Sequence, residues 1–385
     1  MHSTELGQSG WPAGWPLGLP LGWPLGWPLA WQIALLLGGA LLLALLLRPA
    51  RREWLREQDD EASPAPRHED RIDALRTMAT QEFSDMLQRV RDNGGVMRGI
   101  DLDGEPVLVL GSKQDLASQI EPGTRRIGFG VLTSQRLDVP GELVCERDLF
   151  AEGRASVAQS AVVRSLLSLR DVAIGVRARV TGRVHADGRL DVAEGAWLHG
   201  EASAGQALAL ARRTRFVRLH APVIEFGTRE VPAARPGGTL PEYLPGDAQH
   251  DAANRRYIVH GDLSVPAGHR VMADLIVGGR LVVHENCIIT GSLRADRSVR
   301  LGQGVQVEGG IVSPSDIRIA DNCRIDGPVM AGTRLIVGTG CVLGTRGDPV
   351  SVSAARMRIA TGSVVYGFVS ARQAGQVVAP QDLQS

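Results

Sequence analysis

Between Val259 and Leu343 a small or aliphatic residue returns at every sixth position, fifteen times, without an insertion or deletion. The series includes Val259, Val265, Val277, Ile289, Ala295, Val307, Ser313, Ile325 and Leu343. A second apolar set follows four residues after most members, among them Leu263, Leu275, Leu281, Cys287, Val299, Ile317, Cys323 and Cys341. An amphipathic helix repeats its apolar positions at three and four residues, and a hairpin sheet places turn residues roughly every ten. A strict six-residue register fits neither. It fits a chain wound around a triangular prism, with one short strand per face and three hexads, eighteen residues, per coil. Each coil buries its inward side chains only by stacking on the next, so the pattern predicts a mainly β fold, a triangular β-helix or solenoid.

The same rhythm is present upstream. Val139, Cys145, Ala151, Val157, Val163 and Leu169 are six apart, and after a one-residue slip Ile174, Val180, Ala186 and Val192 carry it on to Phe216. Leu149, Leu167, Val184 and Leu190 supply the second set. Glycines at eighteen-residue spacing (Gly182 and Gly200, then Gly291, Gly309 and Gly327) should stack at one corner, where a Cβ is unwelcome. The chain thus divides into a first solenoid block at 137–227, a Pro/Gly-rich loop at 228–256, a second block at 257–372 and a frayed tail at 373–385. A short break at 345–355 leaves about one closing coil, and the whole amounts to roughly nine or ten coils, about 45 Å of rod at the ~4.8 Å strand spacing. Ahead of the blocks, 70–93 has helical spacing (Ile72, Leu75, Phe83, Met86, Leu87, Val90) and stops at Asn93-Gly94-Gly95. Residues 94–136 read as a small α+β unit that covers the first coil, whose open end would otherwise expose unpaired backbone groups.

The first 69 residues follow another pattern. Segment 1–28 is a Trp/Pro/Gly-rich preface, and residues 29–47 carry no charge. That length approaches the ~20 apolar residues of a membrane-spanning helix. Arg48, Arg51, Arg52 and Arg56 follow at once, whereas no Lys or Arg precedes the apolar run. The asymmetry predicts a transmembrane helix at 29–47, with Trp27 and Trp31 in the outer interface and Arg48, Arg51 and Arg52 inside. A charged linker at 48–69 then leads to a cytoplasmic body. A cleaved signal peptide would need basic residues before the apolar run, the reverse of what is found. Lys and Arg number 42, as do Asp and Glu, so the balanced charge gives no support for a nucleic-acid partner.

Residues that could carry chemistry are few. Cys287, Cys323 and Cys341 share one slot of the coil, with His269 and Val305 in it on other turns. Cys287 and Cys323 are two coils apart, roughly 9–10 Å, too far to share an ion bound at ~2.3 Å. Two thiols on adjacent coils make a poor site, and a disulfide is unexpected in a reducing compartment, so the slot reads as buried filler. The six-residue register is also that of left-handed β-helix acyltransferases, which use a His on such a prism. Here His260 and His284 fall one residue after inward positions and should point outward. The second inward site is often Leu or Ile (Leu275, Ile311) where those enzymes keep a small residue, and no flap interrupts the second block. Arg294, Arg297 and Arg300, with Asp296, Glu308, Asp316 and Asp321 nearby, read as a mixed solvated face. No phosphate loop, Ser/His/Asp set or paired carboxylates are placed by spacing, so no catalytic, cofactor or metal residue is assigned.

The run Gly291-Ser-Leu-Arg-Ala-Asp-Arg-Ser-Val-Arg-Leu-Gly-Gln-Gly-Val305, with Val259-His-Gly-Asp-Leu263 and Val192-Ala-Glu-Gly-Ala-Trp-Leu-His-Gly200, resembles the bactofilins, polymer-forming bacterial cytoskeletal proteins. The resemblance covers 140–370. It implies a right-handed triangular β-helix that polymerises end to end without nucleotide or other cofactor and is not an enzyme. It also implies attachment to the bacterial inner (cytoplasmic) membrane, here by a single pass. Its partners would be further copies of itself in a homo-oligomer or filament, the lipid bilayer, and cell-wall or morphogenesis proteins. Val364, Val365, Phe368 and Val369, near the last coil, are the candidates for self-association. The added N-terminal segments and the 228–256 loop depart from a compact member, and a covered first coil would block growth. The alternatives are a left-handed β-helix acyltransferase-like enzyme and a non-polymerising solenoid adaptor that binds a client through 228–256.

Overall fold

Short strands repeat the hexad one residue at a time. Leu293–Ala295, Val299–Leu301 and Ile317–Ile319 each alternate buried, exposed, buried, because neighbouring side chains of a strand point to opposite faces. Each strand pairs in parallel with its equivalent eighteen residues on, as in Leu281↔Val299, Val299↔Ile317 and Ile317↔Leu335. These pairings come from a computed structural model that describes residues 87–90, 92, 95–100, 104–111, 114–228, 240–246, 248–251 and 253–383. The described residues form a β-solenoid of about thirteen turns with three strands per coil and very little helix. One continuous apolar core runs from Leu108 to Val377, through both blocks.

The corners explain the punctuation of the sequence. A Cβ on Gly327 would lie 2.5 Å from the Gly309 carbonyl carbon, and one on Gly309 would meet Gly291 in the same way. A second corner takes left-handed backbone at Gly268, Asn286, Gly304, Asn322 and Gly340, the residue types that adopt positive φ most readily.

Several expectations need correction. The solenoid has about thirteen turns rather than nine or ten because it extends past both boundaries that the hexads predict. Upstream, Arg126–Ile127 and Gly130–Thr133 already belong to the first coil, and Pro106–Leu110 stacks in parallel on the latter. The described part of 94–136 covers the first coil with strands of the solenoid's own sheet and contains no α-helix. Among its described residues it is a hairpin of Val96–Ile100 with Pro106–Leu110, a 3-10 turn at Leu116–Gln119, and coil strands. At the other end, Val350–Ala360 and Ser363–Val378 add two long strands that each wrap several faces, so neither the break at 345–355 nor the tail at 373–385 holds as read. The phase slip also moves. A register shift after Cys145 puts Leu166 and Ser168 inside, opposite Leu149 and Ala151, while Leu167 and Leu169 are only partly buried. Ser168 hid the position because its hydroxyl, bonded to the Gly153 carbonyl at 2.8 Å, fills an inward slot expected to be apolar.

Of the 70–93 segment, Leu87 and Val90 are helical and buried against Val107, Val109, Leu132 and Phe150, on the outside of the first coils. The preface, the apolar segment 29–47, the linker 48–69, and with them Trp27, Trp31, Arg48, Arg51 and Arg52, lie outside the described residues. Among the described residues no helix is long and apolar enough to cross a membrane.

Candidate functional site: the joint between the blocks

One long strand closes each block, and the first of them, Arg215–Phe226, lacks the corner glycines of its neighbours. Arg215–Phe226 closes the first block, lying in parallel on Trp197–Leu198, Glu201–Ala204 and Ala207–Leu210, one on each face. Ser363–Val378 closes the second, lying on Val342–Leu343 and along Val350–Ala360. These two closing strands then pair with each other, antiparallel: Phe216↔Gly375, Leu219↔Val369, Ala221↔Gly367, Ile224↔Val365 and Phe226↔Ser363. The blocks therefore meet tail to tail, and each terminal edge, a liability when open, finds its partner inside the chain. Phe216 and Phe226, both fully buried with ring centroids 6.0 Å apart, fill the core at the seam. Phe216 sits where a Cβ on Gly375 would collide with its ring.

Val364, Val365, Phe368 and Val369 all lie on this seam. They face Glu225, Ile224, His220 and Leu219 of the same chain, and Val364, Val365 and Val369 are buried. The end contact they make is intramolecular.

The outer ends of the rod are the first coils of the two blocks. The first block's end carries the 96–110 hairpin. Over the second block's end lies part of the 228–256 loop. Gln249–Asp251 pairs antiparallel with Arg256–Val259, and Pro241 to Tyr243 bond both ways with Arg270. The segment read as a Pro/Gly-rich loop forms, in its described part, a cap over this end.

Among the described residues no group of three or more His, Cys, Asp or Glu is placed to hold a metal ion. The thiols of Cys287, Cys323 and Cys341 donate to the carbonyls of Pro266, Gly302 and Ala320, at 3.0, 3.1 and 3.1 Å, each twenty-one residues back. Thr214 and Ser363 use hydroxyls in the equivalent slot. The slot thus takes small donors that satisfy a corner carbonyl. Contact with Cys323 and burial push the Cys341 thiol well up, and burial alone pushes Cys145 up to about 12, so neither is a nucleophile at neutral pH.

Spacing did not reveal a Ser/His/Asp grouping that the stacking assembles. His185 Nδ1 is 2.8 Å from Ser203 Oγ, and its Nε2 is 3.0 Å from Asp187. The signal was the eighteen-residue separation of His185 and Ser203, which puts them opposite each other on adjacent strands. Ser203 is only 4% exposed, so a substrate carbonyl could not reach its hydroxyl, and the group works as a hydrogen-bonded row on the coil face. His260 and His284 are exposed, and His284 lies 3.1 Å from Ser264 Oγ. Arg294 and Arg300 stand on different strands of one coil, exposed, and do not form a single patch.

Beside the seam lies a groove of about 560 Å³ lined by Arg177, Arg179, Arg213, Arg215 and Arg358 around Trp197. No family model matches this chain, and no curated protein or solved structure proves significantly similar to it.

Proposed function

We propose that the protein is a non-enzymatic, bactofilin-like structural scaffold, a rigid rod that holds partners apart or together rather than transforming a substrate. One observation carries the reading: the blocks are fused tail to tail along all their terminal edges, over one continuous sealed core. Right-handed winding, tethering through 29–47 and a body on the cytoplasmic face of the bacterial inner membrane belong to the same proposal and rest on the sequence alone. Self-association enters only through the outer ends, whose covering strands would first have to be displaced.

Negative-stain microscopy and sedimentation of the full chain in neutral detergent test it. About thirteen turns at ~4.8 Å give rods of roughly 60 Å, of one length at every protein concentration. Filaments that lengthen with concentration would restore end-to-end polymerisation. An acyl-CoA thermal shift abolished by His284→Ala would replace the scaffold with the acyltransferase.

A further inference from the structure

The groove beside the seam combines charge, shape and position in a way the scaffold does not require. Arg179, Trp197, Arg215, Gln376 and Arg358 are successive register partners on five adjacent strands. They form one row across the seam, with three cations from two blocks. A second row runs along the neighbouring corner, Arg177, Gly195 and Arg213, each with left-handed backbone (φ 56, 70 and 61). The second block gives the comparable corner to Gly and Asn, whereas here two arginines hold it against their conformational preference. The Arg177 side chain lies over Gly195, its Cγ 3.5 Å from where a Cβ would stand, and Arg213 stands two coils, about 10 Å, from Arg177.

Arg213 reaches Glu194 at 3.4 Å, but Arg177, Arg179, Arg215 and Arg358 form no ion pair with any described residue. Asp382 is the one carboxylate in the lining. Like charges a strand or two apart repel, and a concave wall concentrates their field. Burial and then Arg179 hold the His199 imidazole below its ordinary pKa, as expected beside such a field. Trp197 is not a free stacking platform. The Arg215 guanidinium lies 5.3 Å from its ring centre, and His199 stacks on it at 3.6 Å.

We propose that this groove binds a compact anion bearing a phosphate or pyrophosphate group, and that the bound anion clamps the two blocks together across their seam. Guanidinium forks match phosphoryl oxygens two at a time, and the engaged faces of Trp197 leave little for a stacked nucleobase. The site stands apart from the scaffold reading and survives if that reading fails.

Calorimetry and thermal shift on the full chain in neutral detergent, at physiological salt, provide the test, with sodium pyrophosphate and dihexanoyl phosphatidic acid as probes. At least one should bind stoichiometrically and raise the melting temperature. Arg179→Gln in one block and Arg358→Gln in the other should each weaken binding by about tenfold or more, while Arg300→Gln, far from the groove, leaves it unchanged. Arg177→Asn should also weaken it while relieving the left-handed corner. Without probe all three groove variants should melt at or above the parent's temperature, since they remove repulsion. Tighter binding of the short-chain lipid would put the phosphate on a headgroup, and tighter binding of pyrophosphate would put it on a soluble ligand. Absence of binding by both probes, or unchanged affinity in Arg179→Gln and Arg358→Gln, would overturn the site. Groove variants that melt lower without probe would make the arginines structural and overturn it equally.

Discussion

Gly327 lies directly over Gly309, and Gly261 has no atom within 4 Å of where its Cβ would stand. The same substitution should therefore have opposite signs at the two corners. Gly327→Ala forces its methyl into backbone that cannot yield without unstacking a coil, a cost of about 1–3 kcal/mol. Gly261→Ala should be neutral, or stabilising by up to ~1 kcal/mol through the unfolded chain. Denaturant midpoints of the two variants check this, and equal midpoints would mean the coils do not stack in the eighteen-residue register. The stacked glycines were legible because a corner that excludes Cβ excludes it on every turn. The cysteine slot was legible only as filler, since the carbonyl each thiol satisfies lies twenty-one residues back and leaves no local mark. Ser168 and Ser203 were hidden for a related reason. A hydroxyl bonded across coils occupies a buried position that an apolar pattern cannot flag.

Strands show the same division between pattern and partner. The hexads of the second block predicted its coil strands, because an inward residue there has one role and one spacing. The seam escaped because antiparallel pairing between closing strands is made by backbone edges, which no side-chain period records. What the sequence did carry was an absence: Arg215–Phe226 has no glycine and one proline, against the regular corner glycines of its neighbours. If the seam is a packed core, Phe216→Ala should cost about 3–5 kcal/mol, the range for a fully buried aromatic. Hydrogen exchange should localise the loss to Arg215–Phe226 and Ser363–Val378, with the middle of the second block still protected. Uniform loss across both blocks would mean that the rod unfolds as one unit and has no distinct joint.

Tail-to-tail docking fixes the polarity of the whole rod. Both free ends are now first coils, so Phe226, at the seam, and Arg256, in the first coil of the second block, stand the length of that block apart. Seven coils at ~4.8 Å need about 34 Å, and twenty-nine residues at ~3.3 Å reach well beyond that, so the excess is available for other work. Part of it is spent on the cap, where Gln249–Asp251 and Pro241 to Tyr243 pair with edges that would otherwise be open. A linker needed only to connect would leave those edges exposed, and an exposed strand edge invites a second chain. Replacing 241–251 with a Gly/Ser stretch of equal length keeps the connection and removes the cover. The exposed strands Arg256–Val259 and Arg270–Val271 should then pair between copies, so that sedimentation shows concentration-dependent association that the parent lacks. Two such ends would meet first coil to first coil, while the opposite end keeps its 96–110 hairpin, so assembly should stop at pairs of rods. A variant that stays the size of the parent would show that the loop does not keep these ends apart.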